Sequence, residues 1–231
     1  MYIYGKNVAR EKLNTNDRIN KAFISTTFKE QDIINKLKEK KVNIHFVDNK
    51  ILNSKVEGLH QGIVLEIDDV KTYTLEEFLN QNIEGNSRLV MLDHLEDPHN
   101  FGAIIRTCEA LGINGIIIPN DRSVNINSTV IKTSVGAIEY INIIRVPNLQ
   151  VAIKKLKDNN FWIIGTDMKG TDYRKMDYNM STCLVIGNEG KGISNVIKNQ
   201  CDYIVTIPMK GKIDSLNASV SCAIILSRMV D

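Results

Sequence analysis

Short apolar runs separated by amphipathic stretches divide the chain into alternating strand-like and helix-like segments. Residues 21–25 (KAFIS) form a compact apolar run that predicts a strand. Asp32, Ile33, Ile34 and Leu37, with lysines around them, have the spacing of an amphipathic helix. Residues 42–47 (VNIHFV) then alternate as a second strand, and 62–67 (GIVLEI) as a further one. This βαβ rhythm predicts a small α/β domain over residues 1–69. The stretch that follows carries Glu76, Glu77, Glu84 and the turn pair Gly85-Asn86, and reads as a connector over 70–86.

From residue 87 to 231 the alternation is clearer. Strands are predicted over 89–92, 116–118, 141–146, 162–166, 184–186 and 203–207, each short and almost continuously apolar. Runs of that kind suit a parallel sheet covered on both faces. Between them, 101–111, 128–135, 149–158, 194–199 and 217–229 carry apolar residues at helical spacing. The expected fold class is α/β throughout.

Composition adds mainly exclusions. Hydrophobic residues make up 43 % and charged residues 24 % of the 231, ordinary globular usage that excludes a disordered or collagen-like chain. No apolar run approaches the ~18 residues needed to cross a bilayer. The opening MYIYGKNVAR places charge where a signal peptide needs an apolar stretch, so a cytoplasmic protein is expected. Cys108, Cys183, Cys201 and Cys222 show no CxxC spacing and read as reduced, mostly buried thiols. A formal net charge of +2 is too small to imply a polyanionic partner. His94 and His99 are separated by a segment containing Pro98, which breaks the helix a one-turn metal pair requires, so no metal is expected.

The segment from Gly187 to Ser194 (GNEGKGIS) follows a predicted strand and precedes a predicted helix. It lacks the lysine of a P-loop and the third glycine of a dinucleotide fingerprint. No GxSxG elbow occurs. What remains are three polar, glycine-containing segments at strand ends: 92–106, 186–194 and 207–219. Ligands of open α/β sheets bind at the carboxyl ends of strands, where three such segments can share a cleft.

Those segments carry a family resemblance. N-x-G-x-x-x-R (Asn100, Gly102, Arg106), I-G-N-E-G-x-G (186–192) and I-P-M-x-G-x-x-x-S-L-N-x-S (207–219) resemble, in order, the three motifs of the SpoU, or TrmH, branch of the SPOUT RNA methyltransferases. Lys132-Thr133-Ser134-Val135-Gly136-Ala137 is similar to the K-x-S-x-G-A turn of those enzymes. The N-terminal portion, with YGKNVARE and HQGIVLEI, resembles the RNA substrate-binding domain of RlmB-type members, whose fold is like that of ribosomal proteins gripping bent RNA.

The resemblance implies a SPOUT-type parallel sheet with a trefoil knot, a homodimer, S-adenosyl-L-methionine as cofactor, and methyl transfer to a ribose 2′-hydroxyl. The N-terminal domain implies a guanosine of 23S ribosomal RNA as target. The neighbouring readings are a tRNA substrate, an rRNA adenosine of the resistance type, or a non-catalytic RNA-binding protein of the same fold. The implied catalytic residues are Arg106, Asn100, Glu189, Ser215 and Asn217. The implied cofactor contacts are Gly187, Ile207 and Leu216, with Thr166 and Met209 nearby.

A ribose hydroxyl is a poor nucleophile until a neighbour accepts or polarises its proton. Arginine, with a pKa above ~12, resists that task. Two versions of Arg106 therefore stand: a base in a crowded cationic site, or a bidentate clamp on an RNA phosphate. Asn100 reads as a helix N-cap or as a holder of the guanidinium or ribose. Glu189 reads as a loop glutamate or as a partner of Asn100 or Arg106. The side chains of Ile207, Met209 and Leu216 are expected in the core, and Gly187 is expected to let a ligand approach the backbone. Lys21, Lys29, Lys36, Lys38, Lys40 and Lys41 read either as a solvated face or as part of an RNA-facing surface. Tyr2, Tyr4 and Phe46 read either as packing residues or as platforms for stacked bases, and His45 and His60 as structural.

Overall fold

The computed structural model describes residues 1–15, 18–212 and 215–231. Ile213 and Asp214, inside the third motif, lie outside the described residues. The chain divides into two compact units, Met1–Val70 with Ile126–Ser128, and Lys71–Asn125 with Thr129–Asp231.

The first unit runs β1 (Tyr2–Tyr4), α1 (Lys6–Asn14), β2 (Ile19–Ser25), α2 (Gln31–Glu39), β3 (Asn43–Val47), α3 (Asn49–Lys55) and β4 (Ile63–Ile67). Its sheet has the order β1-β4-β2-β3. β2 and β3 are parallel, as their crossover helix demands, and β4 is antiparallel to both β2 and β1. Strand alternation buries Ile3, Ala22, Ile24, Ile63 and Leu65, and α2 buries Ile33, Ile34 and Leu37. Half of the lysines singled out from the sequence are already engaged. Lys36 donates to the Asn14 side chain at 2.9 Å, Lys40 donates to the Thr15 carbonyl at 2.6 Å, and Lys21 lies 3.7 Å from Glu66.

The second unit begins inside the stretch read as a connector, with β5 (Thr72–Tyr73) and α4 (Leu75–Leu79). Thr74 and Glu77 form a capping box that starts this helix. Then come β6 (Arg88–Asp93), α5 (Pro98–Ala110), β7 (Gly115–Pro119), α6 (Ser128–Ser134), β8 (Asn142–Val146), α7 (Leu149–Asp158), β9 (Trp162–Asp172), β10 (Thr182–Gly187), α8 (Asn195–Lys198), β11 (Tyr203–Thr206) and α9 (Ala218–Val230). Short 3₁₀ turns occupy Ala137–Glu139 and Tyr173–Lys175.

The seven strands are ordered β11-β9-β10-β6-β7-β8-β5, and every neighbouring pair is parallel. One face packs Met91, Ile117, Ile144, Ile163 and Val185 against Ile153 and Leu156 of α7. Val90, Leu92, Ile116 and Leu184 are buried on the alternate positions, and α5 and α9 bury Phe101, Ile105, Ile225 and Leu226. α5 packs against α9. Buried on both faces, these strands read as continuous apolar runs in the sequence. Among the described residues, no helix is long and apolar enough to cross a membrane. Cys108, Cys183 and Cys222 are buried and free, Cys201 is partly exposed, and burial pushes the Cys201 thiol up to about 11.

Candidate functional site

The three motifs lie at or just beyond the carboxyl ends of β6, β10 and β11. After β10 the chain folds back in a tight hairpin: Asn188 and Gly192 exchange backbone hydrogen bonds of 3.1 and 2.8 Å, and Gly190 N–H donates to the Asn188 side chain at 2.9 Å. Gly192 sits at φ 65°, a conformation glycine adopts without steric cost. A Cβ on Gly187 would lie 2.0 Å from Gly192 C and 2.2 Å from Ile193 N. Gly187 lets the backbone of its own hairpin close against it, and it also lines the cavity described below.

Asp93, at the end of β6, fixes this hairpin from below. Its carboxylate is 2 % exposed, accepts from Ser194 N–H at 2.7 Å and lies 2.6 Å from His94 Nδ1. Asn188 Nδ2 donates to the His94 carbonyl at 3.0 Å. Asp93, Asn188 and Ser194 lie inside the singled-out segments, but these contacts were not foreseen. The available signal was an acidic residue closing an apolar strand.

α5 starts on Asp97, whose carboxylate accepts from His99 N–H at 3.0 Å, with Pro98 in the first turn. The cap is therefore Asp97, and the buried Asn100 amide is free for other work. Asn100 Nδ2 donates to Glu189 Oε1 at 2.8 Å, and Asn100 Oδ1 accepts from Asn217 Nδ2 at 2.8 Å. Asn217 is itself the N-cap of α9, accepting from Ser219 N–H at 2.9 Å and Val220 N–H at 3.4 Å. One relay, Glu189–Asn100–Asn217, thus ties together three stretches far apart in sequence.

Beside it opens a cavity of about 450 Å³. Thr166, Gly187, Ile207, Met209 and Leu216 all line it, with Glu189 and Ser215. The expectation of core packing is overturned for Met209 and Leu216, which are 37 % and 40 % exposed. Thr166 donates its hydroxyl to the Val185 carbonyl at 3.1 Å. On the same wall Lys198 holds the Asp167 carboxyl below its ordinary range through a 2.6 Å ion pair. Arg106 stands apart. It is exposed on α5, does not line the cavity, and pairs with none of the described residues.

Residues 87–227 match the SpoU rRNA Methylase family. The chain belongs to that family. Residues 2–73 match a second family, described as RNA 2′-O ribose methyltransferase substrate binding. A relative from Staphylococcus aureus (strain MSSA476) is 41 % identical over 230 residues, covering 97 % of this chain and 93 % of its own. YacO of Bacillus subtilis (strain 168) is 39 % identical over 231 residues with the same coverage. Both carry the name TrmH family tRNA/rRNA methyltransferase, which commits to neither RNA. Among solved structures, the SpoU methyltransferase AviRb from Streptomyces viridochromogenes, in complex with AdoMet, superposes with a TM-score of 0.77 at 22 % identity. That match covers 100 % of this chain and 89 % of AviRb, and establishes the shared fold. The A. aeolicus TrmH/SpoU tRNA modifying enzyme matches 68 % of this chain and 79 % of its own, at 31 % identity and TM-score 0.59. The protein is therefore an RNA methyltransferase of the SpoU/TrmH type.

Proposed function

We propose that this enzyme transfers the methyl group of S-adenosylmethionine to the ribose 2′-hydroxyl of a guanosine in 23S ribosomal RNA, as a homodimer in the cytoplasm. The observation that carries the reading is the Glu189–Asn100–Asn217 relay beside the 450 Å³ cavity, which unites the residues of all three motifs. The cavity suits the cofactor: its size lies in the range of ~300–1,000 Å³ typical of small-molecule sites. It also presents the exposed apolar side chains of Met209 and Leu216 beside the backbone of the Gly187 hairpin. The matched substrate-binding family over residues 2–73 supports the 2′-O position. The same N-terminal domain favours rRNA, because the TrmH type that modifies tRNA lacks it.

When bound, S-adenosylmethionine supplies a methyl group on a positively charged sulfonium, so attack by an oxygen neutralises charge and positioning dominates the rate. The main chain at Gly187, Ile207 and Leu216 holds the cofactor, with Thr166 and Met209 as walls. Glu189 keeps one carboxylate oxygen on Asn100 and leaves the other without a partner among the described residues, available as an acceptor for the proton of the ribose hydroxyl. Ser215 faces the ribose. Arg106, exposed and without a carboxylate partner, suits a bidentate grip on an RNA phosphate better than a base in a cationic site. Because it lies outside the cavity of its own chain, Arg106 serves the cavity of the second copy in the proposed dimer.

Mapping 2′-O-methyl marks in rRNA from a strain lacking the gene tests the proposal. One guanosine of 23S rRNA should lose its mark, regained with the wild-type gene and not with Arg106→Ala. Unchanged rRNA marks, or a lost mark in tRNA, refute the assignment. Mixing inactive Arg106→Ala and Glu189→Ala chains should restore about a quarter of wild-type activity if the two residues act across subunits; no restoration refutes the shared site.

A further inference from the structure

The first unit contains a cleft of about 510 Å³ that the methyl-transfer site does not use, lined in part by Lys6, Lys29, Asn53, Leu59 and Gln61. One wall is the 58–62 segment, which carries the HQG motif. Its path requires unusual backbone. Gly58 sits at φ 145°, where a Cβ would lie 2.6 Å from Tyr4 Oη, and Gly62 sits at φ 84° against Phe28. Gln61, a non-glycine residue, is held at φ 52°. Such a conformation costs about 1–3 kcal/mol and persists only where its surroundings impose it.

The hydrogen bonds that impose it also fix the polarity of the cleft. Gly62 N–H donates to His60 Nδ1 at 2.9 Å, so the ring carries its proton on Nε2, which donates to Asn53 Oδ1 at 2.9 Å. Lys6 N–H donates to Gln61 Oε1 at 2.9 Å. Both amide oxygens are thus consumed inside the wall. Neither amide NH₂ group has a partner among the described residues, and neither does the Lys29 ammonium. The lining carboxylate, Glu30, is held by Lys6 at 2.8 Å and Arg10 at 2.6 Å, which keep its carboxyl below the usual range. What the cleft offers is hydrogen-bond donors and positive charge, with Leu59, 80 % exposed, as an apolar flank. A ligand that matches all three is anionic, rich in acceptors and flat on one side.

We propose that this cleft holds one unpaired nucleotide of the RNA substrate, its phosphate on Lys29, the acceptors of its base on the Asn53 and Gln61 amides, and its base face on Leu59. An unpaired nucleotide fits because a duplex buries its base faces by stacking and its Watson–Crick edges by pairing, leaving neither open to Leu59 and the two amides. The inference rests on the reading of the enzyme as an RNA methyltransferase and is independent of which RNA is modified.

Asn53→Asp with Gln61→Glu is a sharp test, because each change keeps the oxygen that the wall uses and replaces the outward NH₂ by a second oxygen. Binding of the full-length enzyme to a fluorescein-labelled single-stranded U₁₂ oligoribonucleotide at low salt is the readout. The double variant should weaken it by ~10-fold or more. Lys38→Gln with Lys41→Gln carries the same change in net charge on exposed side chains of α2 and of the turn after it, and should weaken it by no more than ~3-fold. Lys29→Glu, an exposed side chain whose loss cannot unfold the domain, should weaken it by ~5-fold or more. Affinity for S-adenosylmethionine should stay at the wild-type value in all three, which separates this proposal from a failure of the methyl-transfer reading. The proposal is overturned if wild-type enzyme does not bind U₁₂, if the lysine control loses as much as the cleft variants, or if Lys29→Glu is neutral.

Discussion

Replacing Asn100 by aspartate keeps the shape of the side chain and reverses one of its two hydrogen bonds. Asn217 Nδ2 still finds an acceptor, but a carboxylate oxygen now faces Glu189 Oε1 across the 2.8 Å that the amide spanned. The lost bond to a charged acceptor is worth about 1.5–3 kcal/mol. Two like charges ~4 Å apart repel by about 4 kcal/mol at an effective dielectric of 20, a figure that solvent around the exposed Glu189 reduces to about 1 kcal/mol. Together these displace the hairpin by about 2–4 kcal/mol, or roughly 30- to 1,000-fold in affinity for S-adenosylmethionine. Glu189→Gln in the same chain restores the pair with its polarity exchanged, the glutamine NH₂ donating to the new aspartate. Calorimetric titration of S-adenosylmethionine into wild type, both single variants and the double variant closes the cycle. The expected coupling is about 1.5–3 kcal/mol in favour of the double variant. Additive losses would refute the claim that the relay holds the hairpin in place.

Asn217→Asp separates capping from linkage. The cap oxygen survives, so thermal stability should stay within a few degrees of wild type, while loss of the donor to Asn100 should cost ~10-fold in S-adenosylmethionine affinity. Gly187→Ala drives a methyl group into the Gly192–Ile193 backbone and should cost about 3 kcal/mol or more in urea unfolding, with the cofactor affinity falling alongside. Burial raises the Tyr178 phenol to about 12. Below pH 10 the group is protonated whether folded or not; between about 10 and 12 only the unfolded chain releases the proton, so stability falls as pH rises through that window. Ultraviolet titration of the phenols should show one late transition, lost in Tyr178→Phe.

The seven-stranded sheet was legible because both its faces are covered. Leu89–Leu92 and Cys183–Ile186 lie inside β6 and β10, and an apolar run bounded by polar turns leaves little choice of element. The elements that escaped are those whose stability comes from packing and capping. α3 buries only Leu52, β1 has three residues, and β5 has two. α4 announced itself only through the Thr74–Glu77 box inside a stretch whose acidity suggested a linker. β9 extends to Asp172, well past the apolar run, because Val205 and Thr206 pair with Thr171 and Asp172 beyond a break in the register between Gly165 and Thr171 of β9. At the site, motif order pointed to Asn100, Glu189 and Asn217, but Asp93 and Asn188 act on a backbone N–H and a carbonyl, which every residue carries and no motif displays.

Asn217 opens α9 and also holds Asn100, so the relay closes only when a residue 117 positions after Asn100 has been made. While it is being synthesised, the protein has its hairpin and its first motif long before their third member emerges. The Asn217–Asn100 bond is thus the last link of the relay to become possible as the chain emerges. A product cut short before α9 would lack the donor that Asn217 gives to Asn100 Oδ1, even with the rest of the sheet assembled.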